Sequence, residues 1–280
     1  MTKKSSADIK IYDESNIFQF AFCGPREFFE NTFLKNLASE AEEEKWSTTS
    51  SSDPYVILFY YITKTFSRCY SQHKIVLSTD GFCCKFNTGL LTKNGEDILG
   101  CFIPNPQFSA VSPTIQKWYF KGFFSESDRF LTDFSFPKEA ELASYFDAPG
   151  DAFFDPSRGI DISIDHVLDD HWTDPQIFPK IFTDMGKQLA LDAIKAAFQR
   201  SLVRIKRNSR LVVPQFYLDR LMFLMPIVVS LPHDKTITFA LAVEPVKNGS
   251  YRANTIFDLE SAYKKARLIN RPESNWLMSE

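Results

Sequence analysis

The densest run of chemistry-bearing side chains lies between Lys195 and Arg210, where six bases occur without one acid. Arg200, Arg204 and Arg207 follow i, i+4, i+7 spacing, which places three guanidiniums in a ridge along one side of a helix. With Arg210 just beyond, such a ridge can neutralise several phosphates, each contact releasing condensed counterions. Gln215 and Tyr217 stand two apart in RLVVPQFY and therefore share one side of a strand. A tyrosine beside guanidiniums can stack a base while Gln215 reads a polar edge. Lys264 and Arg267 in the C-terminal helix can widen the patch, although bases in a last helical turn also suit the helix dipole. The competing reading is a solvated helix face paired with the stretch 151–174, which holds seven acids and one arginine.

Two further constellations carry possible chemistry. Asn87, Thr88 and Gly89 in FNTGL can form a tight turn whose N–H groups and polar side chains hold an anion or a base edge; the same residues can also simply close a strand. Asp161, Asp165 and Asp169 would share one helix face, and His166 and Asp170 another, with His171 adjacent. Carboxylates and imidazole together can hold a divalent metal for hydrolysis, or they can serve only as caps and solvated groups. No HExxH completes a metal site. There is no GxSxG, GxxxxGK[ST] or GxGxxG, so the sequence gives no support for an ATP or dinucleotide site, and no cofactor is expected.

The elements that must position these residues follow from periodicity. Residues 26–45 read as a helix ending in an acidic cluster. Residues 54–72 read as a nearly buried helix with Asp53 as cap and Pro54 at its first position. The period then drops to two: strands at 74–78 and 82–87 flank a Thr79-Asp80-Gly81 turn, and others follow at 97–103 and 117–124. A short helix is expected at 138–147, then an acidic loop or flap at about 147–176. The helix from Gln188 buries Ala190, Ile194, Ala197, Phe198, Leu202 and Ile205. Strands at 211–217, 222–231, 236–244 and 251–257 precede a last helix, 259–269, capped by Asp258. Grouped strands mixed with helices give an α+β fold with a largely antiparallel sheet, read as one domain over 26–280 behind a poorly structured N-terminus of residues 1–25.

Composition bounds the function classes. A length of 280 residues suffices for a large core, and the 28 phenylalanines are read first as core packing, with some rings free to stack at a surface. The net charge of −3 excludes a uniformly basic nucleic-acid coat, so the uneven distribution of charge matters more than its sum. Five scattered cysteines without CxxC or zinc spacing read as reduced thiols in a cytoplasmic protein. The N-terminus lacks an apolar signal core. The longest apolar runs fall far short of the about 18 to 20 residues a spanning helix needs, so no membrane partner is expected.

KIVLSTDGFCCKFNTGLL, SDRFL, DHVL, RLVVPQFY and TIFDLESAYKKARLINRPESNWL together resemble a bacterial family classed as a domain of unknown function, over about residues 25 to 277. The family-like positions are Asn87, Thr88, Gly89, Asp128, Arg129, Asp165, His166, Gln215, Tyr217, Tyr263, Arg267, Pro272 and Trp276. The resemblance implies RNA association, because members accompany OST-HTH-type and cold-shock-type modules; it supplies no catalytic residues. The expectation is therefore an RNA- or polyanion-binding domain. Two alternatives stay open: an RNA- or nucleotide-processing hydrolase using His166 or His171 as general base, and a protein-interaction or effector domain docking a partner on an aromatic surface.

Overall fold

In the computed structural model, which describes residues 13–108, 115–163, 172, 174–175, 177–231 and 235–277, strands and helices mix as their periodicities dictate. The fold is α+β. The strands divide between two mixed sheets rather than one, and the chain's contacts gather into two compact units, residues 1–144 and 145–280.

The first unit begins earlier than expected. Within residues 1–25, read as poorly structured, the described part forms α1 (Ile17–Phe20) and β1 (Ala21–Phe22). Asn16 caps α1 through the Phe18 N–H, Ile17 and Ala21 are fully buried, and β1 pairs in parallel with β5. A helical run follows as α2 (Arg26–Phe28), a π-helical turn (Phe29–Leu34) and α3 (Lys35–Glu40). Then come α4 (Val56–Ser71), β2 (Val76–Leu77), β3 (Cys84–Leu91), β4 (Asp97–Pro104) and β5 (Trp118–Ser125). The sheet order is β1-β5-β4-β3-β2. Its core is a contiguous set of phenylalanine rings: Phe66 meets Phe86 at 5.3 Å and Phe102 at 5.6 Å, and Phe102 meets Phe120 at 5.3 Å. The abundance of phenylalanine is therefore, in this unit, mainly a packing device. Opposite Phe86 in the ladder stands Gly100, and a Cβ there would lie 2.2 Å from the Phe86 ring.

The short helix expected at 138–147 is not formed. After α5 (Arg129–Thr132) the chain runs without helix to Ser144. The carbonyls of Ala140, Leu142 and Ser144 accept bonds from Asn87 Nδ2 (3.1 Å), Lys74 Nζ (2.7 Å) and Arg68 Nε (2.9 Å), and Gln72 Nε2 also reaches Ser144. Alternate carbonyls bound to α4, the residues just after it and β3 require an extended chain, and a helix would have consumed the Ala140 and Leu142 acceptors internally.

The second unit holds β6 (Ile160–Asp161), α6 (Lys180–Met185), α7 (Lys187–Arg207), β7 (Val213–Tyr217), β8 (Arg220–Ser230), β9 (Thr236–Pro245), β10 (Tyr251–Phe257) and α8 (Leu259–Ala266). The sheet order is β6-β10-β9-β8-β7, antiparallel except for β6 with β10. Helix α7 buries Ala190, Leu191, Ile194, Ala197, Phe198 and Ile205 against Phe223, Met225, Ile227 and Val243 on one sheet face. The small side chains Ala240, Ala242, Ala262 and Ala266 let α8 close on the other face, beside Val213 and Leu224. Asp258 caps α8 by accepting from the Ser261 N–H at 2.8 Å. Among the described residues no helix is long and apolar enough to cross a membrane.

Candidate nucleic-acid interface

Helix α7 presents its bases as the 3.6-residue period requires. Arg200, Arg204, Lys206 and Arg207 are exposed, as is Arg210 just after the helix, and none of these five forms an ion pair among the described residues. Arg207 Nη1 donates to the Val203 carbonyl at 2.9 Å. The macrodipole accounts for placing Arg204, Lys206 and Arg207 in the last turn, but not for Arg200 or Arg210.

Residues 155–161 of the acidic segment are engaged elsewhere. Asp155 N–H donates to the Tyr251 hydroxyl at 2.9 Å, Arg158 Nη2 to the Ser250 carbonyl at 2.8 Å, and the Ser250 hydroxyl to Asp161 Oδ2 at 2.9 Å. These bonds tie residues 155–161 to the start of β10 and the turn before it. Asp165, His166, Asp169, Asp170 and His171 lie outside the described residues; Asp161 is an exposed residue of β6. Among the described residues no group of three or more histidine, cysteine or acidic side chains has metal-binding geometry.

Within the second unit the other sequence-selected residues are not gathered around the ridge. Gln215 and Tyr217 share a side of β7 with Val213, the side that α8 covers, whereas α7 packs on the opposite face of the sheet. Gln215 is 0% exposed, with Nε2 3.8 Å from Met222 Sδ and Oε1 unpartnered, so it is not presented to a ligand. Tyr217 is 37% exposed. Arg267 is buried and Lys264 half-buried.

In the first unit, Asn87 and Thr88 are 1% and 0% exposed within the continuous strand β3. Asn87 Nδ2 donates to Asp97 Oδ2 at 2.8 Å, its Oδ1 accepts from the Gly89 N–H at 2.8 Å, and the Thr88 hydroxyl donates to the Ile98 carbonyl at 2.6 Å. FNTGL thus builds the register shift between Asn87 and Leu91 rather than an open anion-binding turn. SDRFL is equally local: the Ser127 hydroxyl donates to Glu96, and Asp128 caps α5 through the Phe130 N–H at 2.8 Å. Asp128 also borders a cavity of about 560 Å3 between the π-helical turn, α3 and β5. Its lining sets Lys121 against Glu40 and Asp128, leaving no excess positive charge for a polyanion.

The chain matches the family profile described as Domain of unknown function (DUF3825) over residues 37–276. It belongs to that family. The DUF3825 match runs from within α3 to Trp276 and so spans both structural units. No curated protein and no solved structure matches the chain. Several family-like positions hold the fold together: Trp276 Nε1 donates to the Leu211 carbonyl at 2.8 Å, and Tyr263 packs against the α8-side core.

Sequence reasoning missed a charged row on the α8 side of the second sheet. Glu244 is 6% exposed and is flanked by Arg252, its direct cross-strand partner, and by Arg220, whose Nη1 lies 3.5 Å from Glu244 Oε2. Arg252 Nη2 also reaches Glu244 Oε1. Burial pushes the Glu244 carboxyl up, but hydrogen bonds from Arg252 and Asn254 and the two guanidinium charges outweigh it and hold it below its ordinary value. Lys265 Nζ lies 3.9 Å from the Phe257 ring centroid and 5.4 Å from that of Tyr217. Burial, then the neighbouring Lys264 charge, lowers the Lys265 pKa to about 8, opposed in part by Asp258. The pair Tyr217 and Arg220, straddling a two-residue turn, was the one local signal for this row.

Proposed function

We propose that this chain binds RNA through the outward side of α7, with Arg200, Arg204, Arg207 and Arg210 holding phosphates. The observation that carries the reading is four exposed guanidiniums along one helix and its exit, without an ion pair among the described residues and without an acid in the run from Lys195 to Arg210. Exposed cations of one sign in a row attract a polyanion and release its counterions, whereas a stability device would have paired them. The RNA-binding company implied by the family resemblance supports the same reading. Contacts of this kind grip the backbone and carry no base preference of their own.

The test is fluorescence anisotropy with a single-stranded RNA of about 12 nucleotides at about 50 mM salt, repeated as salt is raised. Binding is expected, with log K falling linearly against log salt. Arg200→Ala, Arg204→Ala and Arg207→Ala combined remove three contacts and should flatten the slope by about 2. Absence of binding at low salt, or an unchanged slope in the triple variant, overturns the proposal.

A further inference from the structure

The part of the β7–β10 sheet face that α8 leaves open has the chemistry of a second contact surface. Helix α8 covers Val213, Leu224, Ala240 and Ala242. Strand alternation then puts Tyr217, Arg220, Glu244 and Arg252 on the same face beyond the helix, one on each of the four consecutive strands β7, β8, β9 and β10. The row crosses three strand spacings, about 14 Å, and steps two residues along the strands between β9 and β8, because Phe223 pairs with Val243 and Arg220 therefore lies diagonal to Glu244. Its two guanidiniums, with side chains 67% and 59% exposed, share the carboxylate of Glu244, and Asp161, the ladder partner of Arg252 on β6, adds a second acid to the same face. Tyr217 stands at one end with an exposed ring, and the Lys265 ammonium lies beside that ring.

Two departures from regular geometry frame the row. Leu218 and Asp219, the turn between β7 and β8, have φ of 50° and 56°, a left-handed pair usually met with Asn or Gly. Leucine is disfavoured there, and Leu218 is 73% exposed, so packing does not account for it. The β9–β10 ladder breaks register between Ala253 and Thr255, one residue after Arg252. Asn254, at that break, bonds the same Glu244 carboxyl. Turn and bulge together aim Tyr217, Arg220 and Arg252 outward around one fixed acid.

We infer that this open sheet face takes a segment of single-stranded RNA, with Tyr217 stacked on a base and Arg220 and Arg252 on the flanking phosphates. The inference rests on the RNA-binding reading of α7 and adds a separate surface to it, on the other side of the sheet. An aromatic ring between guanidiniums suits an unpaired strand, whose bases can leave their own stack; a duplex offers phosphates but no free base face.

The experiment uses the full chain. A short RNA carrying 5-iodouridine is irradiated in the complex and the cross-linked peptide is mapped by mass spectrometry. In parallel, Tyr217→Ala and Arg220→Gln are compared with wild type for binding single-stranded and duplex RNA of equal length. Both side chains are exposed, and Arg252 remains to hold Glu244, so neither change threatens folding. The expected result is a cross-link to Tyr217, a loss of about tenfold or more in single-strand affinity for Tyr217→Ala, and a salt slope lower by about 0.7 for Arg220→Gln. Duplex affinity should stay unchanged for Tyr217→Ala. Wild-type affinity in both variants without a Tyr217 cross-link, while the α7 triple variant still weakens binding, overturns the sheet-face inference and leaves the helix reading standing. Equal losses on single strand and duplex overturn the stacking role. No binding by the wild-type chain overturns both readings.

Discussion

Replacing Gly89 by alanine separates a structural role of FNTGL from a ligand-binding one. Gly89 has φ +73°, and a Cβ built on it would lie 2.7 Å from the Tyr61 hydroxyl oxygen. That hydroxyl is buried and donates to the Thr88 carbonyl at 2.8 Å. The left-handed backbone costs an L residue about 1–2 kcal/mol. Displacing the Tyr61 hydroxyl adds a lost hydrogen bond and a buried carbonyl without its donor, about 1–2 kcal/mol more. Gly89→Ala should therefore cost about 2–4 kcal/mol. Tyr61→Phe by itself should cost about 1–2 kcal/mol, and it removes the atom that the new Cβ would meet. The double variant is then expected to cost about 2–4 kcal/mol, less than the sum of the two single changes by about 1–2 kcal/mol. Gly81→Ala is the control: its φ of +77° is similar but nothing lies within 4 Å, so it carries the backbone cost of about 1–2 kcal/mol without the clash. The assay is urea unfolding followed by tryptophan fluorescence, with Trp46, 6.3 Å from Tyr61, as a local reporter. A strictly additive cycle, or a Gly89→Ala variant no less stable than Gly81→Ala, would refute this reasoning.

Asn87→Ala removes donors to Asp97 and to the Ala140 carbonyl and should destabilise by about 2–3 kcal/mol in the same assay, while RNA affinity measured by anisotropy stays at the wild-type value. Lys265 binds its proton less tightly in the folded chain than in the unfolded one. The unfolded state therefore holds more protons between the folded pKa near 8 and the ordinary 10.5, and stability should rise with pH across that window. Below pH 8 the full penalty is present, so Lys265→Met should raise the urea midpoint at pH 7 by the equivalent of about 1 kcal/mol after solvent screening, with the gain fading towards pH 10.5. Burial pushes the thiols of Cys23, Cys84 and Cys101 upward and that of Cys69 to about 12. Cys83, drawn down by its hydrogen bond from Cys101, is itself 0% exposed. Ellman's reagent should therefore label all five thiols in urea and react on the order of a hundredfold more slowly with the native chain.

Local patterns determined most of the elements. The 3.6-residue apolar period from Ala190 to Ile205 specified α7 and the side on which its arginines would stand, because helix periodicity fixes which residues share a face. The Asp80-Gly81 turn and the alternation around it specified the β2–β3 hairpin, and Asp258 marked the start of α8. Local patterns failed where a segment's polar groups find distant partners. The stretch 138–147 has helical composition, yet side chains from α4, the residues just after it and β3 claim its carbonyls. Asn87, Thr88 and Gln215 read as exposed polar groups because a sequence does not say which strands will cover them.

The arginine ridge on α7 was therefore a property of the sequence, since it requires only a helix of that period. Its separation from Gln215 and Tyr217 was decided by the tertiary structure, which put α7 on one face of the sheet and α8 on the other. The row Tyr217, Arg220, Glu244 and Arg252 was decided there too: it draws one residue from each of four strands, and only the pairing register of β7 through β10 brings them side by side.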